Sequence, residues 1–293
     1  MDSRFRGNDD KGKIDRKTDT VSHMRCPPLG AKLSRALAES KHMLGCRAVI
    51  SSLKNGEEQM LSAIPSEAVA RNAVQVSKEG ASATDFIGKR AETSDHPLAF
   101  LVNGPPEFVI PPHFHEIDQY QIFVGGSATL GKHKVLPGSV HYADAYTPYG
   151  PITATEDGFN YITLRPRSII GYHEMPGGGP LLKPVNAARG RRGRMLVADV
   201  EPGHTGTGRE ALFEEPDGIA AYGLSAGPGA RLPQPEVDHG GAYYVVLEGE
   251  ITAGGTVYPP RSTIWVGQGE APPAMIAGAE GASVAFMSFA RPD

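Results

Sequence analysis

The stretch that decides the reading runs from Pro111 to Gly126, PPHFHEIDQYQIFVGG. In an extended strand alternate side chains share a face, so His113 and His115 point the same way, about 7 Å apart along the chain. Gln119, Gln121 and Phe123 continue one alternating face, and Tyr120, Ile122 and Val124 form the other. Gly125 and Gly126 end the segment with a turn signal. Two imidazoles placed this way can converge on one ion where the strand bends. The following hairpin, GKHKVLPGSVHYADA (131–145), carries a Pro137-Gly138 turn and then His141. His141 can return to the same mouth as a third imidazole. His133 sits two residues after Gly131 and is either a rival ligand or a residue of the rim.

The 293 residues are 40% apolar and 21% charged, with a formal net charge of −4. That balance gives no electrostatic reason to expect nucleic acid or an anionic membrane as partner. The 36 glycines and 25 prolines favour many short strands over a helical bundle. Cys26 and Cys46 make neither a disulfide framework nor a CxxC pair, and a reducing cytoplasm is the simplest location. No apolar run approaches the roughly 18 residues of a membrane span, and the N-terminus lacks the apolar core of a signal peptide. PGGGP (176–180) is not followed by the Lys-Ser/Thr of a phosphate loop. No GxSxG elbow occurs. The basic run ARGRRGR (188–194) lacks interleaved aromatics and reads as a solvated connection.

Residues 1–24 are polar, resemble the translation of an intergenic repeat and are read as disordered, with Met24 as an alternative start. Residues 25–92 are read as a helical or mixed segment, with helices expected near 29–45 and 66–77. Short alternating runs then recur over 93–168, in the pattern of an antiparallel sandwich or barrel. A Gly/Pro/Arg-rich connection is expected over 169–194. A second strand-rich block follows over 195–293, with its core in AYYVVLEGEITAGGTVYPPRSTIWVGQGEAP. Two similar blocks suggest an internal duplication.

These motifs resemble those of the cupin superfamily. HFHEIDQYQIFVGG is similar to the first cupin motif and GKHKVLPGSVHYADA to the second. The departure is Gln119, seven residues before Gly126, where the family usually has glutamate. The resemblance implies a mainly β protein of two jelly-roll barrels. In the first it implies a divalent metal held by His113, His115, Gln119 and His141. Gln119 can instead support the histidines through a hydrogen bond, and Asp118 replaces it as ligand if the strand bulges. The second block resembles a cupin more weakly. Counting back from Gly249, the acidic-ligand position falls on Ala242 and the paired-histidine positions on Glu236 and Asp238, while His239 is one residue out of register. This barrel is expected to bind no metal. The chain as a whole resembles the bicupins.

Three imidazoles and an amide are all neutral and leave the full +2 charge on the ion, which favours a small anionic chelating substrate of catechol, enol or diketone type. Such donors suit Fe(II), with Mn, Ni or Zn as other candidates. The expected function is a non-haem Fe(II) dioxygenase. A non-redox isomerase, lyase or hydrolase is the alternative, and a binding or regulatory protein without catalysis is the third reading. Asp144 and Tyr146 are the candidate pocket groups beside the metal ligands. The second barrel is expected to supply structure and a homodimer interface.

Overall fold

The computed structural model describes residues 73–189, 193–201, 203 and 206–292 in full, together with the backbone of short strands at Leu53–Lys54, Glu57–Glu58 and Ser62–Ile64. The expected disordered segment 1–24 and the expected helix at 29–45 lie outside the described residues, as does most of the stretch at 66–77. Its described end contains an exposed two-residue strand, Val74–Gln75. Residues 45–293 form one compact unit.

Two antiparallel sheets organise that unit. In the first, the spatial order is Met195–Asp199, Ser139–Ala143, Gln119–Leu130, Ile152–Arg165, Leu98–Gly104, Ser82–Ile87 and Val74–Gln75. In the second it is Gly208–Glu214, Ala220–Ala226, Met275–Ser288, Ala242–Ala253, Thr263–Val266 and Ser62–Ile64. The two long central strands match in length: 12 residues from Gln119 and from Ala242, and 14 from Ile152 and from Met275. Each member of the second pair lies 123 residues after its counterpart (119 to 242, 152 to 275). The same offset relates Gly126 to Gly249 and Gly158 to Gly281, all four with positive φ. At Gly126 a Cβ would collide with the Gly158 carbonyl, and at Gly249 with the Gly281 carbonyl. The duplication read in the sequence is therefore a duplication of close backbone approaches, which only glycine permits.

The boundaries differ from those expected. Ser82–Ile87 is a strand of the first sheet rather than part of a helical segment. The stretch 169–194 contains the helix Gly179–Arg189 and the strand Tyr172–Glu174, which pairs with His113–His115. Met195–Asp199, expected to open the second barrel, pairs with Ser139–Ala143 of the first. Ser62–Ile64, from before the first barrel, pairs with Thr263–Val266 of the second. Each sheet thus takes at least one edge strand from outside its own block, the first sheet at both edges, and local pattern cannot show that, because edge pairing is a long-range choice.

Strand alternation separates two cores. Tyr120, Ile122, Val140, Tyr142, Ile162 and Leu164 join Tyr243, Val245, Trp265 and Met287 in a buried layer between the barrels. The joint is reciprocal: the Tyr120 hydroxyl donates to the Ser288 carbonyl at 2.9 Å and the Tyr243 hydroxyl to the Arg165 carbonyl at 3.0 Å. The other face of each strand points into its own barrel. In the second barrel that interior is an apolar cluster including Tyr222, Tyr244, Ile264 and Phe286. At the 123-residue offset, Ala242 stands for Gln119, Tyr244 for Gln121, Ile264 for His141 and Ser288 for Arg165. None of these four positions keeps an amide, imidazole or guanidinium group. No helix among the described residues is long and apolar enough to cross a membrane.

Candidate active site in the first barrel

His113 and His115 stand on the short strand His113–His115, and His141 lies across the sheet, opposite Gln121 in register. Their ring centroids confirm one cluster: His113 and His115 lie 5.2 Å apart, and Tyr149 packs 4.5 Å from His113 and 4.6 Å from His141. Each imidazole has its Nδ1 beside an acceptor. His113 Nδ1 donates to the Pro111 carbonyl at 2.7 Å and His141 Nδ1 to Gln121 Oε1 at 2.9 Å. His115 Nδ1 lies 3.0 Å from the Gly171 carbonyl. On His113 and His141 these acceptors fix the tautomer and leave Nε2 with its lone pair. His141 Nε2 is buried and has no hydrogen-bond partner.

The histidines are neutral well below pH 7. Burial lowers His113 to about 4, with the nearby Arg165 adding to the effect and the Pro111 carbonyl opposing it. Burial lowers His141 to about 3, helped by His113. His115 is also held well below its ordinary value, by burial and then by Arg165.

Gln119 is buried, as the sequence reading requires, but its amide faces two ways. Arg165 Nε and Nη2 donate to Gln119 Oε1 at 3.1 and 2.9 Å. Gln119 Nε2 donates to the Tyr149 hydroxyl at 2.5 Å, and that hydroxyl donates to His113 Nε2 at 2.9 Å. A continuous chain runs from Arg165 through Gln119 and Tyr149 to His113 and the Pro111 carbonyl. Tyr149 is fully buried in this chain, and burial keeps its hydroxyl protonated far above pH 10.

The donor set fits a divalent metal in its histidines: three neutral imidazoles, each with Nδ1 beside an acceptor, and one orphaned Nε2. Gln119 fits less directly, because its oxygen is shared with a guanidinium. Among the described residues no group of three or more His, Cys, Asp or Glu side chains is already gathered as a cage. Tyr149 stands among the rings and holds His113 Nε2, so an ion using that nitrogen must displace the hydroxyl.

A cavity of about 930 Å³ opens in front of this cluster. His113, His115, Gln121 and Arg165 line it, with Phe100 and Tyr172 among its walls. Tyr172 lies on the strand paired with His113–His115, its ring 4.8 Å from His113 and 5.6 Å from His115. His141 is completely buried behind the floor.

The other expected residues lie elsewhere. Asp144 is buried but turned away from the cavity, bonded to the Tyr142 hydroxyl at 2.9 Å and to Arg194. Burial opposes its ionisation, yet the Arg194 bonds outweigh that and hold it below the usual carboxylate range. Arg194 also pairs with Asp217, so Asp144 ties the first barrel to the turn before Ala220–Ala226. Tyr146 has a left-handed backbone, φ 56°, and stacks at a tilt on Phe114. It does not line the cavity. Asp118 accepts from the Ala145 N–H at 2.6 Å and shapes the turn. His133 is exposed on its hairpin. His239 accepts the Gly241 N–H and faces Phe286.

Sequence reading missed Tyr149 and Arg165. Tyr149 was one of several tyrosines near the motif, and only its contact across 36 residues with His113 singles it out. Arg165 ends the Ile152–Arg165 strand, where register with Leu98 carries it to the cavity. Its signal was a charged residue on the inward alternation Tyr161, Thr163, Arg165.

No family model matches the sequence, and no curated protein sequence matches it. Solved structures do superpose. A proposed dioxygenase from Nostoc punctiforme is 12% identical with a TM-score of 0.55, over 78% of this chain and 81% of its own. An 11S globulin from Wrightia tinctoria is 11% identical with a TM-score of 0.52, over 80% of this chain and 84% of its own. The nickel(II) complex of the bacterial pirin YhhW from Escherichia coli is 8% identical with a TM-score of 0.50, over 80% of this chain and 100% of its own. At such identities the likeness is one of fold. Taken with the duplicated sheets, the glycine turns in register and the histidine motifs in their strands, it makes this chain a two-barrel protein of the cupin fold.

Proposed function

We propose that the first barrel is the catalytic centre of a metal-dependent enzyme, an oxygenase acting on a small anionic substrate, and that the second barrel is a structural partner. The observation that carries this reading is the set of three neutral imidazoles, His113 and His141 buried and His115 half-buried, beside a cavity, each with Nδ1 beside an acceptor and with the His141 Nε2 unpartnered. His113, His115 and His141 would hold the ion, with Gln119 beside them through its amide. A divalent ion there supplies Lewis acidity and, as Fe(II), a centre for dioxygen chemistry.

The chain's own residues have separable tasks. Arg165 keeps a permanent positive charge at the cavity wall, because burial lowers it only to about 10. Gln119 transmits no charge; it fixes the guanidinium on one side and the Tyr149 hydroxyl on the other. Tyr149 stays protonated and holds His113 Nε2 by hydrogen bond, which orients that ring. The apolar part of the wall, Phe100, Val102 and Tyr161 among it, lowers the dielectric around the polar contacts beside it. Tyr149 is also the observation that favours a second, non-redox reading, since a phenol kept protonated beside the histidines can donate a hydrogen bond in isomerase or lyase chemistry.

The test is metal analysis of protein purified without added metal, with oxygen uptake measured on a panel of catechols and β-diketones. Iron together with substrate-dependent uptake supports the oxygenase. Zinc with no uptake on any substrate sinks it and transfers weight to the non-redox reaction.

A further inference from the structure

The cavity wall carries a buried cation, Arg165, that has no counter-charge among the described residues. Arg165 is 5% exposed. Among the described residues no Asp or Glu lies within ion-pair distance of it. Its neighbours are the Gln119 amide oxygen, the Ile169 carbonyl at 3.1 Å, the His115 ring and the face of Phe100, 5.7 Å from the guanidinium carbon. The carboxylates that share the cavity lining, Glu79, Glu107 and Glu174, are all exposed at its rim. An uncompensated buried cation is costly unless something offsets it.

Two details indicate what the offset is. A glutamate at 119 would close an ion pair through the same two N–H groups; the amide has the same shape and leaves the charge unspent. His115 Nδ1 lies 3.0 Å from both the Gly171 carbonyl and Arg165 Nη2. One ring nitrogen cannot donate to the carbonyl and accept from the guanidinium at once. With its proton on the carbonyl, an Arg165 N–H facing it has no acceptor. Among the described residues the guanidinium is therefore short of both a counter-charge and one acceptor, at the wall of a cavity whose apolar lining includes Phe100, Val102, Phe108 and Tyr161.

We propose that this cavity binds a carboxylate attached to an aromatic or otherwise apolar body, with Arg165 as the anion receptor. The planar guanidinium takes the carboxylate oxygens, and the body lies among Phe100, Val102, Phe108, Tyr161 and Tyr172. This names a substrate class for the site proposed above but needs no ion, so the two readings fail separately.

The experiment compares 3-phenylpropanoate with its uncharged isostere 3-phenylpropanamide by isothermal titration calorimetry, using full-length protein with metal removed by chelation. The expected result is carboxylate binding about tenfold or more tighter than amide binding. Gln119→Glu, which keeps the bonding geometry and supplies the counter-charge internally, should abolish that preference. Arg165→Met should do the same. If Arg165→Met does not fold, Gln119→Glu and the wild-type comparison still decide the matter. Equal affinity for acid and amide in the wild type overturns the proposal, as does a preference that survives Gln119→Glu. Carboxylate binding that disappears on chelation also overturns it, because the anion would then be held by the metal. Metal content itself is a separate measurement and tests the reading of the histidines.

Discussion

Replacing Tyr149 with phenylalanine should tighten metal binding while weakening the fold. The Tyr149 hydroxyl bonds to His113 Nε2 at 2.9 Å and accepts from Gln119 Nε2 at 2.5 Å. An ion that uses His113 Nε2 must first break the hydroxyl's bond to it. A hydrogen bond of this kind is worth about 0.5–1.5 kcal/mol net, so the hydroxyl opposes the ion by about 2- to 13-fold in affinity. Tyr149→Phe removes that competition and should raise affinity by roughly this factor. The same change leaves the buried Gln119 N–H without its acceptor, at a cost of about 1–3 kcal/mol. Competition against a chromophoric chelator at pH 7 reads the first effect, and urea unfolding of the chelated protein reads the second. A fall in metal affinity of tenfold or more would refute the reasoning, because the phenol oxygen would then be helping to hold the ion rather than competing with it.

Acid should destabilise the metal-free protein through its histidines. Their neutral form is favoured in the fold, with His113 lowered to about 4 and His141 to about 3, so protons bind the unfolded chain first. Stability is full above the unfolded value near 6.5 and falls as pH drops toward 4, by about 1.4 kcal/mol per pH unit per histidine. Urea midpoints at pH 7, 6, 5 and 4 measure the slope, and a His141→Asn variant should have a shallower one. Arg194→Ala removes the guanidinium shared by Asp144, Glu215 and Asp217. Because Asp217 is exposed and screened by water, the expected loss is about 2 kcal/mol rather than that of a fully buried pair, read from the unfolding midpoint. Oxygen uptake should be unaffected below the melting range. Gly126→Ala and Gly249→Ala should each abolish soluble expression or cost several kcal/mol, on the order of 3 or more, since strain at positive φ adds to collision with a facing carbonyl. Gly229→Ala, at φ 67° with open space around it, should cost only about 1 kcal/mol and serves as the control.

The alternation of Gln119, Gln121 and Phe123 against Tyr120, Ile122 and Val124 assigned each side chain its face before any coordinates were needed. The faces agree with the barrel interior and the layer between barrels. Tyr142, neighbour of His141, does face away from it into that layer. That the second block lacks the paired histidines, at Glu236 and Asp238, and the amide, at Ala242, was also legible. Strand exchange was not. Nothing local to MLVAD distinguishes an edge strand of one barrel from the first strand of the next, and the choice is made by pairing with Ser139–Ala143. Asp144 failed as a pocket group for a similar reason: its partner, Arg194, is 50 residues away and draws it outward.

By itself the sequence determined which residue types meet inside each barrel, because a period of two and a glycine at each close approach leave little freedom in where a side chain points. Only the tertiary structure decided what those residues do to one another. It set Tyr149 against His113, turned the Gln119 oxygen to Arg165, and left that guanidinium without an ion-pair partner among the described residues. These contacts span 30 to 46 residues of chain. They depend on distances and hydrogen-bond directions that strand periodicity does not encode.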